Sequence, residues 1–132
     1  MQKRKLDMAP LVAVVDDDVS VRKSLERLIR SVRLDVRVFG SAEEFLNCAP
    51  PLKPDCLILD VNLPAMSGIE LQRHLLASRY KVPIIFITAH GSDERARLEA
   101  ASDCTVAYLI KPFGADELLD AVNVALNRSS LE

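Results

Sequence analysis

The sequence predicts an α/β domain: a doubly wound parallel sheet with helices on both faces. Short apolar runs alternate five times with stretches of helical spacing, the pattern of repeated strand–helix units. The runs are apolar throughout rather than alternating, which suits strands covered on both faces. Polar residues follow the runs directly, and the carboxyl ends of parallel strands share one edge of the sheet.

The first run, Leu11–Val15, is rich in valine and stops at Asp16, Asp17 and Asp18, the last read as a helix cap. Residues 19–32 then take helical spacing, with Val21, Leu25, Leu28, Ile29 and Val32 on one face. A short β-branched run over 36–39 follows, and Ser41 is placed to cap a helix through Glu44, Phe45 and Leu46. Pro50, Pro51 and Pro54 mark a loop before the run at 56–59, which stops at Asp60. Residues 62–68, with Pro64 and Gly68, read as a loop leading to a helix carrying Ile69, Leu71, Leu75 and Leu76. The fourth run, 83–87, ends at Thr88, and residues 93–101 have weaker helical character. The fifth run, 106–110, ends at Lys111 and Pro112, and Leu118, Leu119, Val122, Ala125 and Leu126 mark a final amphipathic helix. Right-handed crossovers would place these helices on both sides of the sheet.

The 132 residues fit one domain, expected over residues 10–128, with an N-terminal extension at 1–9 and a tail or cloning remnant at 129–132. A hydrophobic fraction of 49% is enough for a real core. The formal charge of −2 directs the chain to neither nucleic acid nor an anionic membrane. No apolar run reaches the length of a membrane span. Cys48, Cys56 and Cys104 are odd in number and widely spaced, so reduced thiols in a cytoplasmic protein are expected rather than a disulfide or zinc framework.

Asp16, Asp17, Asp60, Thr88 and Lys111 all follow apolar runs, so the fold would carry three carboxylates, a hydroxyl and an ammonium to one edge. Two carboxylates about 4 Å apart repel by roughly 4 kcal/mol at an effective dielectric of about 20. Three such pairs would cost on the order of 10 kcal/mol, as much as a whole domain's stability. Protons or a cation must relieve that. Oxygen ligands suit a hard ion such as magnesium, and neither histidine falls at a strand end to favour a softer metal.

The segments Val14-Val15-Asp16-Asp17-Asp18, Leu57-Ile58-Leu59-Asp60, Leu63-Pro64-Ala65-Met66-Ser67-Gly68, Ile87-Thr88-Ala89 and Leu109-Ile110-Lys111-Pro112-Phe113 together resemble the motif set of response-regulator receiver domains of two-component systems, in order and over roughly residues 10–128. Val21-Arg22-Lys23-Ser24-Leu25 further resembles receivers of the nitrogen-fixation regulator type. The resemblance implies a flavodoxin-like sheet of order 2-1-3-4-5. It implies a signalling phosphoacceptor rather than an enzyme, though one that supports its own phosphotransfer and autodephosphorylation. Asp60 would take the phosphoryl group from a sensor histidine kinase. Mg2+, or alternatively Mn2+, would be held by Asp17, Asp60 and the backbone carbonyl of Asn62, with Asp16 acting mainly through water. Lys111 would neutralise the phosphoryl charge, Thr88 would hydrogen-bond it, and Tyr108 would follow Thr88 inward. Lys111-Pro112 would be a cis bond. The face of the fourth helix, fifth strand and fifth helix would change and could carry a homodimer. DNA would be contacted only through an output domain outside this chain.

Other readings stand beside these. A phosphatase of the haloacid-dehalogenase type also uses an aspartate nucleophile with magnesium, but it wants a second acid where this chain has Asn62. A degenerate receiver used only for docking is opposed by the intact Asp16, Asp17, Asp60, Thr88 and Lys111. His74 is expected within a helix. His90 and the Asn62 side chain are either modulators of the site or solvated loop groups. One stretch departs from the family pattern: residues 100–105 lack the usual glycine and carry one apparent extra residue, which puts the exit of the fourth helix in question.

Overall fold

The computed structural model describes residues 9–48, 51–89 and 100–130. The elements are β1 (Leu11–Val15), α1 (Val19–Ser31), β2 (Asp35–Phe39), α2 (Ala42–Leu46), β3 (Cys56–Asp60), α3 (Gly68–Ala77), β4 (Ile84–Thr88), β5 (Thr105–Ile110) and α4 (Ala115–Ser130). All strand pairs are parallel and the order is β2-β1-β3-β4-β5, as expected. Of the expected fourth helical stretch only Ala100 and Ala101 are described, and Ala100 alone is helical; His90 lies outside the described residues.

Side chains leave a strand on alternate faces, and both faces here are buried. On one, Ala13, Val15, Leu57, Leu59, Ile84 and Phe86 pack against Phe45 of α2 and Ile69, Leu71 and Leu75 of α3. On the other, Val12, Val14, Ile58, Ile85 and Ile87 pack against Leu25 and Ile29 of α1 and Leu118, Val122 and Ala125 of α4. That double burial is why the runs lack alternation. Two residues assigned to apolar faces point outward: Val32 and Leu76 are 42% and 39% exposed. Val32 is the C-cap of α1, past the last helical turn that reaches the sheet.

The ends of the helices follow local chemistry. Asp18 caps α1 by accepting from the Ser20 amide, and Ser41 caps α2 by accepting from the Glu44 amide. Ser67 and Glu70 form a reciprocal capping box at the start of α3. Gly68, expected in the preceding loop, is instead the first residue of α3. A side chain there has no room. A Cβ on Gly68 would lie 2.2 Å from the backbone oxygen of Asp60 and 3.1 Å from the Cα of Val61. Helices α1 and α3 both close through a residue with positive φ, Arg33 and Arg79, where glycine is usual.

The stretch before Lys111 carries an irregularity in β5. Ile84 pairs with Thr105 but Ile85 pairs with Ala107, so Val106 forms a bulge in β5. Beyond the bulge the register is regular, Phe86 opposite Tyr108 and Thr88 opposite Ile110. The Lys111-Pro112 bond is cis, as expected. No disulfide joins the three cysteines, and burial, with the charge of Asp55, pushes the Cys56 thiol up to about 12.

Two predictions follow from this packing. Because Gly68 abuts main chain, Gly68→Ala should cost about 1–3 kcal/mol in urea unfolding, the usual range for overpacking. Tyr80, after α3, donates its hydroxyl to the Pro54 carbonyl at 2.6 Å, and burial followed by the Asp55 charge raises its phenol above the ordinary 10.0. The unfolded chain sheds this proton from pH 10 upward while the folded chain keeps it, so stability falls as pH rises through that range. Tyr80→Phe should lose about 1 kcal/mol at neutral pH and show a shallower decline above pH 10. Denaturation midpoints at pH 7 to 11 measure both.

Candidate phosphoryl-transfer site

The strand register assembles the site. Val15 pairs with Leu59, so Asp16 and Asp60 leave neighbouring strands side by side. Asp60 pairs with Ile87, which puts Thr88 one residue further along β4. Lys111 leaves β5 with its amide donating to the Thr88 carbonyl at 2.7 Å. All five residues expected at the edge are there.

The carboxylates are unequal. Asp16 is fully buried and Asp60 only 4% exposed, while Asp17 faces solvent. One carboxylate oxygen from each of the three lies within 4.8 Å of the others. Lys111 reaches across from β5, its Nζ donating to Asp16 Oδ2 at 2.8 Å and to Asp60 Oδ2 at 3.1 Å. The ammonium thus answers part of the crowding that the sequence implied. Burial pushes the Asp16 carboxyl up, against the hydrogen bonds from Lys111 and the Asp18 amide. Burial works to lower Lys111 too, but its bonds to Asp16 and Asp60 outweigh it and the ammonium is held above its ordinary range.

The remaining lone pairs are directed by main chain. Asp16 Oδ1 accepts from the Asp18 amide at 2.8 Å, and Asp60 Oδ1 accepts from the Asn62 amide at 2.9 Å. The Asn62 side chain, left open between modulator and loop group, donates to Thr88 Oγ1 at 3.0 Å. Thr88 is buried and lies on the same sheet face as Phe86, opposite whose backbone stands Tyr108. The Tyr108 ring is half-buried and sits 6.3 Å from the Phe86 ring. His74 is on the exposed side of α3.

Three supporting residues escaped the sequence reading. Arg22, in the first turn of α1, donates to the Asp16 carbonyl at 2.7 Å and fixes the end of β1. Glu43 accepts from the Met66 amide at 3.0 Å and steadies the loop after Asp60. Gly68 lets α3 begin against the Asp60 carbonyl. Only Gly68 left a signal, as a glycine directly after a helix-capping serine. Glu43 and Met66 lie 23 residues apart, and the Arg22 contact, across only six residues, is made by the turn from β1 into α1 rather than by helical spacing.

The donor set fits a small hard cation: three carboxylates at one edge, oxygen ligands only, and one of the carboxylates open to solvent. No helix among the described residues is long and apolar enough to cross a membrane.

Comparison with known proteins agrees with this geometry. Residues 12–123 match the family model described as "Response regulator receiver domain". Nodulation protein W of Bradyrhizobium diazoefficiens is 48% identical over 118 residues, covering 89% of this chain and 52% of that protein. Transcriptional regulatory protein TdiR of Thauera aromatica is 43% identical over 126 residues, 96% of this chain and 55% of its own. The crystal structure of FixJ-N shares 34% identity at a TM-score of 0.81, covering 91% of this chain and 95% of that one. The chain therefore spans about half the length of the curated relatives it matches. With sheet order, edge chemistry and family model in agreement, the chain belongs to the response regulator receiver family.

Proposed function

We propose that Asp60 is the phosphoacceptor of this receiver and that a sensor histidine kinase is the donor. The observation that carries the reading is the buried Asp60 carboxylate, flanked by two further carboxylates and bonded to the Lys111 ammonium. An oxygen of Asp60 attacks phosphorus, the bond from phosphorus to the kinase histidine nitrogen breaks, and the nitrogen keeps the electron pair. The product is an acyl phosphate bringing about −1.5 to −2 charge to the edge. Lys111, already shared between Asp16 and Asp60, is within reach of that charge.

Asp17, Asp60 and the Asn62 carbonyl would hold Mg2+ or Mn2+, with Asp16 acting through water; the ion supplies countercharge for the transferring group. Thr88 gives up its bond from Asn62 to donate to the phosphoryl oxygens, and Tyr108, on the same sheet face, moves toward the space it leaves. That rearrangement changes the face that carries β5 and α4, which serves as a dimer or partner surface. The same site would support autodephosphorylation. Relatives named as transcriptional regulators support a place for this unit, residues 10–128, in the cytoplasm as the receiver of a DNA-binding regulator whose DNA contacts lie in another domain. A phosphatase reading finds no support at Asn62, whose amide is engaged with Thr88 where a second acid would be needed.

Incubation with acetyl phosphate and magnesium should add one acid-labile phosphoryl group, seen by intact mass, and Asp60→Asn should abolish it. Undiminished labelling of that variant would move the nucleophile elsewhere. Magnesium should bind in about the millimolar range or tighter, through one or two carboxylates with several waters retained, and Asp17→Ala should remove that binding in a titration. Equal affinity in the variant would exclude Asp17 as a ligand.

A further inference from the structure

Residues 100–105 contain no glycine, yet the turn they form is held by side-chain hydrogen bonds. Its anchor is Gln72 of α3, a polar side chain only 3% exposed. Gln72 Nε2 lies 2.8 Å from Ser102 Oγ, 3.0 Å from Thr105 Oγ1 and 3.3 Å from the Ala100 carbonyl. Thr105 Oγ1 in turn donates to the Ala100 carbonyl at 2.6 Å, and Ser102 Oγ accepts from the Cys104 amide at 3.2 Å. Two amide hydrogens thus serve three acceptors that are themselves linked, a polar cluster whose buried anchor is Gln72.

Its position gives the cluster a consequence. One end of α3 is pressed on the Asp60 carbonyl through Gly68, and Gln72 lies four residues on, about 6 Å along a rigid helix. From Gln72 the hydrogen bonds pass to Thr105, the first residue of β5, immediately before the Val106 bulge. Beyond the bulge come Tyr108, opposite Phe86, and then Lys111 at the carboxylates. The main chain of Asp60 is therefore joined to β5 by a continuous packed and hydrogen-bonded path independent of Thr88.

We infer that Gln72 is a positioning residue of the switch, holding the start of β5 to α3 so that a change at Asp60 is transmitted to the strand carrying Tyr108. This rests on the reading of Asp60 as phosphoacceptor. An apolar side chain at 72 would keep the packing of α3 but leave Thr105 and Ser102 without their common donor. The bulged start of β5 would then move independently of α3.

The experiment compares wild type, Gln72→Leu, Thr105→Val and Thr105→Ser by amide hydrogen exchange, before and after acetyl phosphate with magnesium. Asp60 should be labelled to the same extent in all four, and magnesium affinity should agree within about 2-fold, the ligands lying on other strands. In Gln72→Leu and Thr105→Val, the phosphorylation-dependent change in exchange over residues 105–109 should fall to less than about half of the wild-type change, if the path carries coupling. Thr105→Ser, which keeps the hydroxyl, should retain it. A merely stabilising role for Gln72 would raise exchange equally in both states and leave the difference intact, which overturns the inference. Should Gln72→Leu not fold, the contrast between Thr105→Val and Thr105→Ser still decides: equal responses reject the path. Failure of wild type to label at Asp60 would instead overturn the phosphoacceptor reading.

Discussion

Asp16 and Asp60 leave adjacent strands with their carboxylates almost wholly out of water, and Lys111 holds them together from a third strand. Removing either sign alone would strand a buried charge, at a cost of several kcal/mol. The triad joins β1, β3 and β5 across the width of the sheet, at the edge where helix packing ends. It also sets the ground state of the chemistry. One oxygen of each carboxylate is occupied by the ammonium and the other by a loop amide, so the side chains are aimed before any ligand arrives.

Around that triad the loops are braced from the helices. Arg22 ties α1 to the Asp16 carbonyl, and Glu43 ties α2 to the Met66 amide. Gly68 brings α3 against the Asp60 main chain. Each neighbouring helix thus carries one restraint on the loop it adjoins. Preorganisation of this kind limits the reorganisation needed when a phosphoryl group adds charge. The Asn62 to Thr88 bond is the exception: it links an exposed side chain to a buried hydroxyl, so it is the contact best placed to be exchanged.

The glycine-less turn at 100–105 is held by side chains. Glycine normally supplies backbone freedom at such an exit. Here hydroxyls at 102 and 105 and a buried glutamine supply hydrogen bonds instead, and the Val106 bulge precedes the regular part of β5. Lys111 consequently arrives at the carboxylates although the loop before it is irregular.

The fold class and the membership of the edge were legible in the sequence, because both are periodic or positional properties. Continuous apolar runs such as 56–59 encode burial on two faces, and a residue just past such a run has only one edge to occupy in a parallel sheet. The caps at Asp18 and Ser41 were legible for the same reason, being interactions across two or three residues. What tertiary structure decided is which charge answers which. Nothing local distinguishes Lys111 as the shared partner of Asp16 and Asp60, since those contacts span 95 and 51 residues. Gln72 shows this most plainly: within α3 it is one polar residue among several, and its partners lie 28 to 33 positions away. Local spacing determines which face a side chain takes, but a buried hydrogen bond is chosen only when packing brings distant donors and acceptors together and excludes the water that would otherwise serve them.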